Sequence, residues 1–316
     1  MARTRKGLIA AAGALGLAAL VLTGCSNGNP LSSDDSGSTG SSKTITIGSA
    51  AFPENEILAY IYADALDNAG VKTAVKPNIG QRDRYIAALK SGEIQLVPEY
   101  TGNLLQFLDA SATATSSDDV YAALQAATKS GGSGKLDADK AEVLEQSPGQ
   151  DADSYNVTKK FSDDNNVKSL ADLKNVTTPL KVGANPEFAT RPYGIPGLKS
   201  TYGVDATLTP ISDSGGPNTL KALLDGDVQL ADIYSTTPSI KQNDLVTLAD
   251  PEHLIGAQNV VPLIATASAS SKVTDTLNKL SAKITTDVLI DLNTKSSVDK
   301  QSAQQIAKDW VKANGF

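Results

Sequence analysis

The chain has 316 residues, 40% hydrophobic and 20% charged, with one Cys and one His. Its formal charge is −7, and without Arg3, Arg5 and Lys6 the remainder carries −10, which excludes a general nucleic-acid binder that would need clustered Lys and Arg. The same counts exclude most transition-metal sites, and any Ser–His–Asp or Cys–His chemistry not centred on His253.

Residues 1–25 read as an export signal. Arg3, Arg5 and Lys6 form a basic start, and Leu8 to Val21 is an uncharged run rich in Ala and Leu. A helix of that run spans about 21 Å, short of the roughly 30 Å hydrocarbon core, so a permanent membrane helix is not expected. Leu22-Thr23-Gly24-Cys25 resembles the bacterial lipobox, in which the Cys is acylated and becomes the mature N-terminus. Cys25 is therefore the expected lipid attachment point, because two or more acyl chains anchor a protein stably. Residues 26–42 are almost all Ser, Gly, Asp, Asn and Thr, the composition of a flexible tether. No later apolar run reaches membrane-spanning length, so the body is expected to be soluble.

Two similar halves follow. Thr44-Ile45-Thr46-Ile47-Gly48 opens the first as a strand ending on Gly, and Leu180-Lys181-Val182-Gly183 opens the second. Ala88-Leu89-Lys90-Ser91-Gly92-Glu93-Ile94-Gln95-Leu96-Val97-Pro98-Glu99-Tyr100-Thr101 aligns with the stretch from Ala222 to Ser235, with six of the fourteen positions identical. Each passage reads as a helix end, a Gly turn, a short buried strand and then a Tyr. Between strand and repeat, Ile57, Ile61 and Ala65 share one face of a helix. Strands alternating with helices predict α/β lobes with mainly parallel sheets, whose ligands lie beyond the carboxyl ends of the strands. Tyr100 and Tyr234 are placed at such ends, one from each half, so a cleft with a tyrosine on each wall is expected. Tyr60 and Tyr62 are assigned to packing.

Several blocks resemble one family. They are Ile47 through Asn55, Leu89-Lys90-Ser91-Gly92-Glu93, Pro98-Glu99-Tyr100-Thr101-Gly102, Glu187-Phe188-Ala189-Thr190-Arg191, Gly197-Leu198 with Tyr202-Gly203, and Asp232-Ile233-Tyr234-Ser235-Thr236. Over nearly all of residues 43–316 the chain is similar to the substrate-binding proteins of osmoprotectant ABC importers, which capture glycine betaine, choline or carnitine. The resemblance implies an α/β, bilobal periplasmic-binding-protein-like fold of type 2, with two lobes joined by two crossing strands. Residues 43–152 with 258–316 would form one lobe and 153–257 the other. It further implies a monomeric, non-enzymatic receptor that needs no cofactor or metal. The receptor would be tethered outside the cytoplasmic membrane and would deliver a small solute to an ABC permease and its ATPase subunits.

By the same resemblance, Tyr100, Tyr234 and Tyr155 match tyrosines that cage a cationic headgroup, Asp153 supplies a carboxylate, and Arg191 clamps the second lobe or a ligand carboxylate. Tyr193 stands near a further cage position, for which this chain has Ile195. Ala257 occupies another place where family members carry a tyrosine, so the cage is thinned. From the residues themselves, the Phe52-Pro53-Glu54 helix start suits an anion. The loops carrying Gln81 and Arg82, and residues 212–216, either face the cleft or are solvated turns, and Arg82 either meets a ligand carboxylate or pairs with Asp83. Gly131-Gly132-Ser133-Gly134-Lys135 is not a phosphate loop, because Lys129 and Leu136 stand where Gly and Ser or Thr are required. The competing readings are a receptor for a different cationic or aromatic solute, an enzyme on the same fold, and a scaffolding lipoprotein.

Overall fold

The computed structural model describes residues 44–316. The export signal, Cys25 and the tether expected over 26–42 lie outside the described residues. Ten strands follow in chain order: β1 (Ile45–Gly48), β2 (Thr73–Lys76), β3 (Leu96–Tyr100), β4 (Ala141–Val143), β5 (Tyr155–Val157), β6 (Leu180–Ala184), β7 (Ala206–Pro210), β8 (Leu230–Asp232), β9 (Val246–Thr247) and β10 (Val260–Ala265). They form two five-stranded sheets, ordered β2-β1-β3-β10-β4 and β7-β6-β8-β5-β9. The two orders correspond strand for strand, so the internal repeat read in the sequence is a repeat of topology.

The sheets are mixed rather than mainly parallel. β1 runs parallel to β2 and β3, as β6 does to β7 and β8, while β10 lies antiparallel to β3 and β4, and β5 antiparallel to β8 and β9. The physical reason is the connection. Parallel neighbours need a crossover helix, whereas β5 and β10 enter their sheets directly from segments that cross between them. Those two segments pair with each other: Asp151 N donates to Gln258 O at 3.1 Å and Val260 N to Gly149 O at 3.1 Å.

Strand periodicity divides the first sheet between two cores. Leu96 and Val260 face the helices Pro53–Asn68, Ser271–Ser281, Thr286–Ser297 and Ala303–Ala313, while Val97 and Val261 face Arg82–Ser91, Thr101–Leu108 and Ser117–Ser130. In the helix Pro53–Asn68, Ile57, Leu58, Ile61, Tyr62, Ala65 and Leu66 are all buried. Trp310 joins the same core and stacks on Phe316. In the second sheet Leu230 and Ala231 of β8 likewise fall into separate cores. The two turns of the repeat are built alike. Gly92 at φ 77° and Gly226 at φ 81° end the helices before β3 and β8, in a left-handed conformation that side chains resist. Among the described residues, no helix is long and apolar enough to cross a membrane.

Candidate functional site

The carboxyl ends of β1, β3 and β8 converge on one cavity. β1 ends at Gly48, and the loop after it is stapled by Asn55, whose Oδ1 accepts from Ala50 N at 2.8 Å while Nδ2 donates to Pro98 O at 3.0 Å. That staple fixes Phe52, the residue that caps the helix opened by Pro53. Tyr100 is the last residue of β3, and its hydroxyl donates to Glu54 Oε1 at 2.7 Å. Tyr234 follows β8 on a segment held by Ile233 N to Ser154 O and Ser235 N to Ala152 O. The Phe52 ring lies 5.9 Å from that of Tyr100, tilted by 35°, and 5.7 Å from that of Tyr234, edge to face at 72°. These three rings wall a cavity of about 40 Å³ together with Ala50, Gln81, Arg82, Tyr85, Asn103, Asp151, Asp153 and Arg191. That is room for about three waters.

Charge is arranged in pairs around the space. Arg82 donates to Glu99 through Nε at 2.9 Å and Nη2 at 3.0 Å; Glu99 is wholly buried and also receives the Tyr85 hydroxyl at 2.8 Å. Arg191 Nη1 lies 3.4 Å from Asp153 Oδ1 and 2.8 Å from the Tyr193 hydroxyl oxygen. Asp153 Oδ2 accepts from Asn103 Nδ2 at 2.9 Å, which ties the helix after β3 to the segment entering β5. Behind the rings, Thr236 bridges two acids, its Oγ1 donating to Glu54 Oε2 at 2.7 Å and its N to Asp151 Oδ1 at 3.1 Å. Asn293 also donates to Glu54, at 2.6 Å.

Burial governs the titration of these groups. Desolvation, followed by the neighbouring carboxylate, raises Asp151 and Asp232 well above the usual range. Glu54 is raised by desolvation, against the pull of its hydrogen bonds from Tyr100, Thr236 and Asn293. Asp232 Oδ1 has no hydrogen-bond partner among the described residues. Among those residues no group of His, Cys, Asp and Glu side chains is arranged to hold a metal ion. Two larger spaces adjoin the cavity: about 410 Å³ beside Arg82, Arg191 and Tyr193, and about 460 Å³ beside Phe52, Tyr234 and the loop 213–217.

The family described as the substrate binding domain of ABC-type glycine betaine transport system matches residues 43–313. The chain belongs to this family. It is similar to the glycine betaine-binding protein YehZ of Escherichia coli (strain K12), at 24% identity over 286 residues, covering 86% of this chain and 91% of that protein. Its fold is that of a solved glycine betaine/carnitine/choline ABC transporter protein, with TM-score 0.68 at 20% identity, covering 85% of this chain and 98% of that one. The closed, glycine betaine-bound lactococcal OpuAC has the same fold, with TM-score 0.60 at 15% identity over 86% and 96% of the two chains. The architecture is the type 2 periplasmic-binding-protein-like fold of such proteins.

In this substrate-binding domain Phe52, Gln81, Arg82, Tyr100, Asp153, Arg191 and Tyr234 meet at one cavity. Tyr155 does not. Its ring packs edge-on against Phe188 in the core of the second sheet, and its hydroxyl donates to Tyr193 O at 2.9 Å. It is the first residue of β5, already inside the second sheet, while Asp153, two residues earlier, lies before the strand on the crossing segment and lines the cavity. Tyr193 lines the neighbouring chamber and reaches the site through its hydroxyl, which donates to Asn103 Oδ1 at 2.5 Å, and through its ring, 5.6 Å from the Arg191 guanidinium. Arg82 pairs with Glu99 rather than Asp83, whose partner is Arg84. Ile195 packs against the core of the second sheet, and Ala257 O accepts from the Thr101 hydroxyl. The helix start after Phe52 carries Glu54 in its first turn, whose carboxyl accepts from the Tyr100, Thr236 and Asn293 side chains.

Sequence reasoning missed Asp151, Glu99, Asn103, Tyr85 and the Glu54–Thr236–Asn293 cluster. Asp151 had a readable signal. It stands two residues before Asp153 in an extended crossing segment, and alternation puts both on the same side. Asn293 had none, because it arrives from the helix Thr286–Ser297, remote in sequence from every other site residue.

Proposed function

We propose that this chain is the extracytoplasmic receptor of an ABC importer, a monomeric lipoprotein acylated at Cys25. It would close two lobes, 43–152 with 258–316 and 153–257, on a quaternary ammonium solute of the glycine betaine, choline or carnitine type. It would then pass the solute unchanged to a separate permease served by ATPase subunits. The observation that carries the reading is the aromatic trio: Phe52 lies within 6 Å of both Tyr100 and Tyr234, which come from the ends of strands in different sheets. Asp151 and Asp153 share the same wall.

A quaternary ammonium donates no hydrogen bond and must be held by charge and contact. Ring faces contribute about 0.5–2 kcal/mol each, so three supply about 1.5–6 kcal/mol, against about 8 kcal/mol for a micromolar complex. The carboxylates of Asp151 and Asp153 and apolar burial on closure make up the difference. For a solute with its own carboxylate, Arg191 offers Nε and Nη2, which have no acceptor among the described residues. The relatives support the solute class: the Escherichia coli protein is a glycine betaine-binding protein, lactococcal OpuAC holds glycine betaine, and another protein of this fold holds choline.

Thermal unfolding with choline, glycine betaine, carnitine and uncharged controls tests the proposal. A solute present at a hundred times its Kd stabilises the native state by about 2.7 kcal/mol. At least one quaternary ammonium solute is expected to raise Tm at millimolar concentration; no response to any of them contradicts the reading. Radiolabelled palmitate incorporation, present in the natural chain and lost in Cys25→Ser, tests the anchor.

A further inference from the structure

Three places beside the cavity suit a negative charge, and each has a carboxyl group of the chain on it or beside it. Arg82 spends two N–H groups on Glu99, which is fixed further by the Tyr85 hydroxyl and by Tyr100 N. Arg191 faces Asp153, itself held by Asn103. The first turn of the helix Pro53–Asn68, where unpaired N–H groups and the helix dipole favour an anion, contains Glu54.

The opposite sign has an open place. Asp151 lines the cavity and accepts from Thr236 N and Ser235 Oγ, with no basic partner among the described residues. Glu54 stands on the other side of Thr236, and Asp232, buried with an unpartnered oxygen, lies near Asp153. Two guanidinium groups thus face five carboxyl groups. Burial raises Asp151, Glu54 and Asp232 by disfavouring their charged forms, and a cation arriving beside them favours those forms again.

We propose that, within the quaternary ammonium class on which this inference rests, the site selects a net monocation of choline's size over a zwitterionic betaine with the same headgroup, and that Asp151 is the carboxylate the ligand's charge compensates. A betaine carboxylate reaching the remaining N–H groups of Arg82 or Arg191 must share each cation with Glu99 or Asp153, a like charge fixed at the same guanidinium. A hydroxyl in that position accepts from the same N–H groups and donates to Asp153 without adding charge.

Calorimetric titration of the full chain in mild detergent, at one pH and ionic strength, compares choline, glycine betaine and 3,3-dimethyl-1-butanol, the uncharged carbon counterpart of choline. Choline is expected to bind roughly tenfold or more tighter than glycine betaine, with no detectable binding of the alcohol at millimolar concentration. Asp151→Asn is expected to weaken choline by roughly tenfold and to narrow the gap to glycine betaine. Glycine betaine binding as tightly as choline overturns the selectivity while leaving the quaternary ammonium reading intact. An unchanged ratio in Asp151→Asn overturns the role of Asp151. Binding of neither solute removes the functional reading and this inference together. The comparison on the natural chain does not depend on how well the variant folds.

Discussion

The Tyr100 hydroxyl donates to Glu54 Oε1 at 2.7 Å, joining the end of β3 to the first turn of the helix that begins at Pro53. Glu54 is buried, and its remaining donors, Thr236 and Asn293, lie far along the chain, so one carboxyl group gathers the aromatic wall and two distant segments. Tyr100→Phe keeps the ring and removes one donor from a buried acceptor, which costs about 1–3 kcal/mol of stability in urea denaturation. Choline affinity should stay within about threefold in that variant and fall roughly tenfold in Tyr100→Ala. Natural affinity in Tyr100→Ala would return this ring to simple packing.

Phe52 is the ring common to both aromatic contacts. Phe52→Ala should lower choline affinity by about 1–2 kcal/mol, roughly 5- to 30-fold, through the loss of one ring face and its share of the wall. Because Phe52 is only half-buried, the unfolding midpoint should move less than for a core aromatic truncation. Titration calorimetry paired with denaturation separates the two effects.

Arg82 and Glu99 form a buried pair made of two parallel hydrogen bonds. Removing one partner leaves the other charged and unpaired, at a cost of about 3–5 kcal/mol. Arg82→Ala is therefore expected to destabilise strongly, whereas Arg84→Ala, whose partner Asp83 is exposed, should be nearly silent. Equal midpoints for the two variants would show that the buried pair contributes nothing.

The folded chain should lose stability as pH rises from mildly acid values. Desolvation raises Glu54, Asp151 and Asp232 above their ordinary values of 4.5, 3.8 and 3.8. In the unfolded chain these groups release their protons near pH 4, while the folded chain still holds them, so unfolding becomes progressively easier from there up through the raised values. Asp109, held low by the Ser111 hydroxyl, and Asp172, held low by Lys168 N, act in the opposite sense and only below the ordinary carboxylate range. The expected result is a Tm that falls as pH rises above the ordinary carboxylate range, with a flatter slope in Asp151→Asn. A Tm that climbs with pH there would contradict the assignment.

Local pattern made much of this architecture legible. The β-branched run Thr44–Ile47, the helix face of Ile57 and Ile61, and the paired Gly92 and Gly226 turns each report a preference of the backbone itself, and the two sheets repeat as the two halves of the sequence do. The same logic placed Tyr100 and Tyr234 beside one cavity, because strand ends are where an open α/β sheet exposes its loops, whereas Phe52 reads as part of a helix start and not as a ring of the wall. Local pattern does not reach what tertiary contacts decide. Tyr155, matched only through the family resemblance, packs into the core of the second sheet, and Arg82, open in the sequence between a ligand and Asp83, pairs with Glu99 across a helix–strand contact that no spacing announces. The antiparallel β5 and β10 are set by crossing segments, whose direction local propensity does not encode.

The most direct measurement is a crystal structure of the chain with choline bound. The account predicts the quaternary nitrogen within about 6 Å of the ring centres of Phe52, Tyr100 and Tyr234, with Asp151 on the same side. Density for choline away from these rings, or an unoccupied aromatic wall at saturating choline, would contradict it.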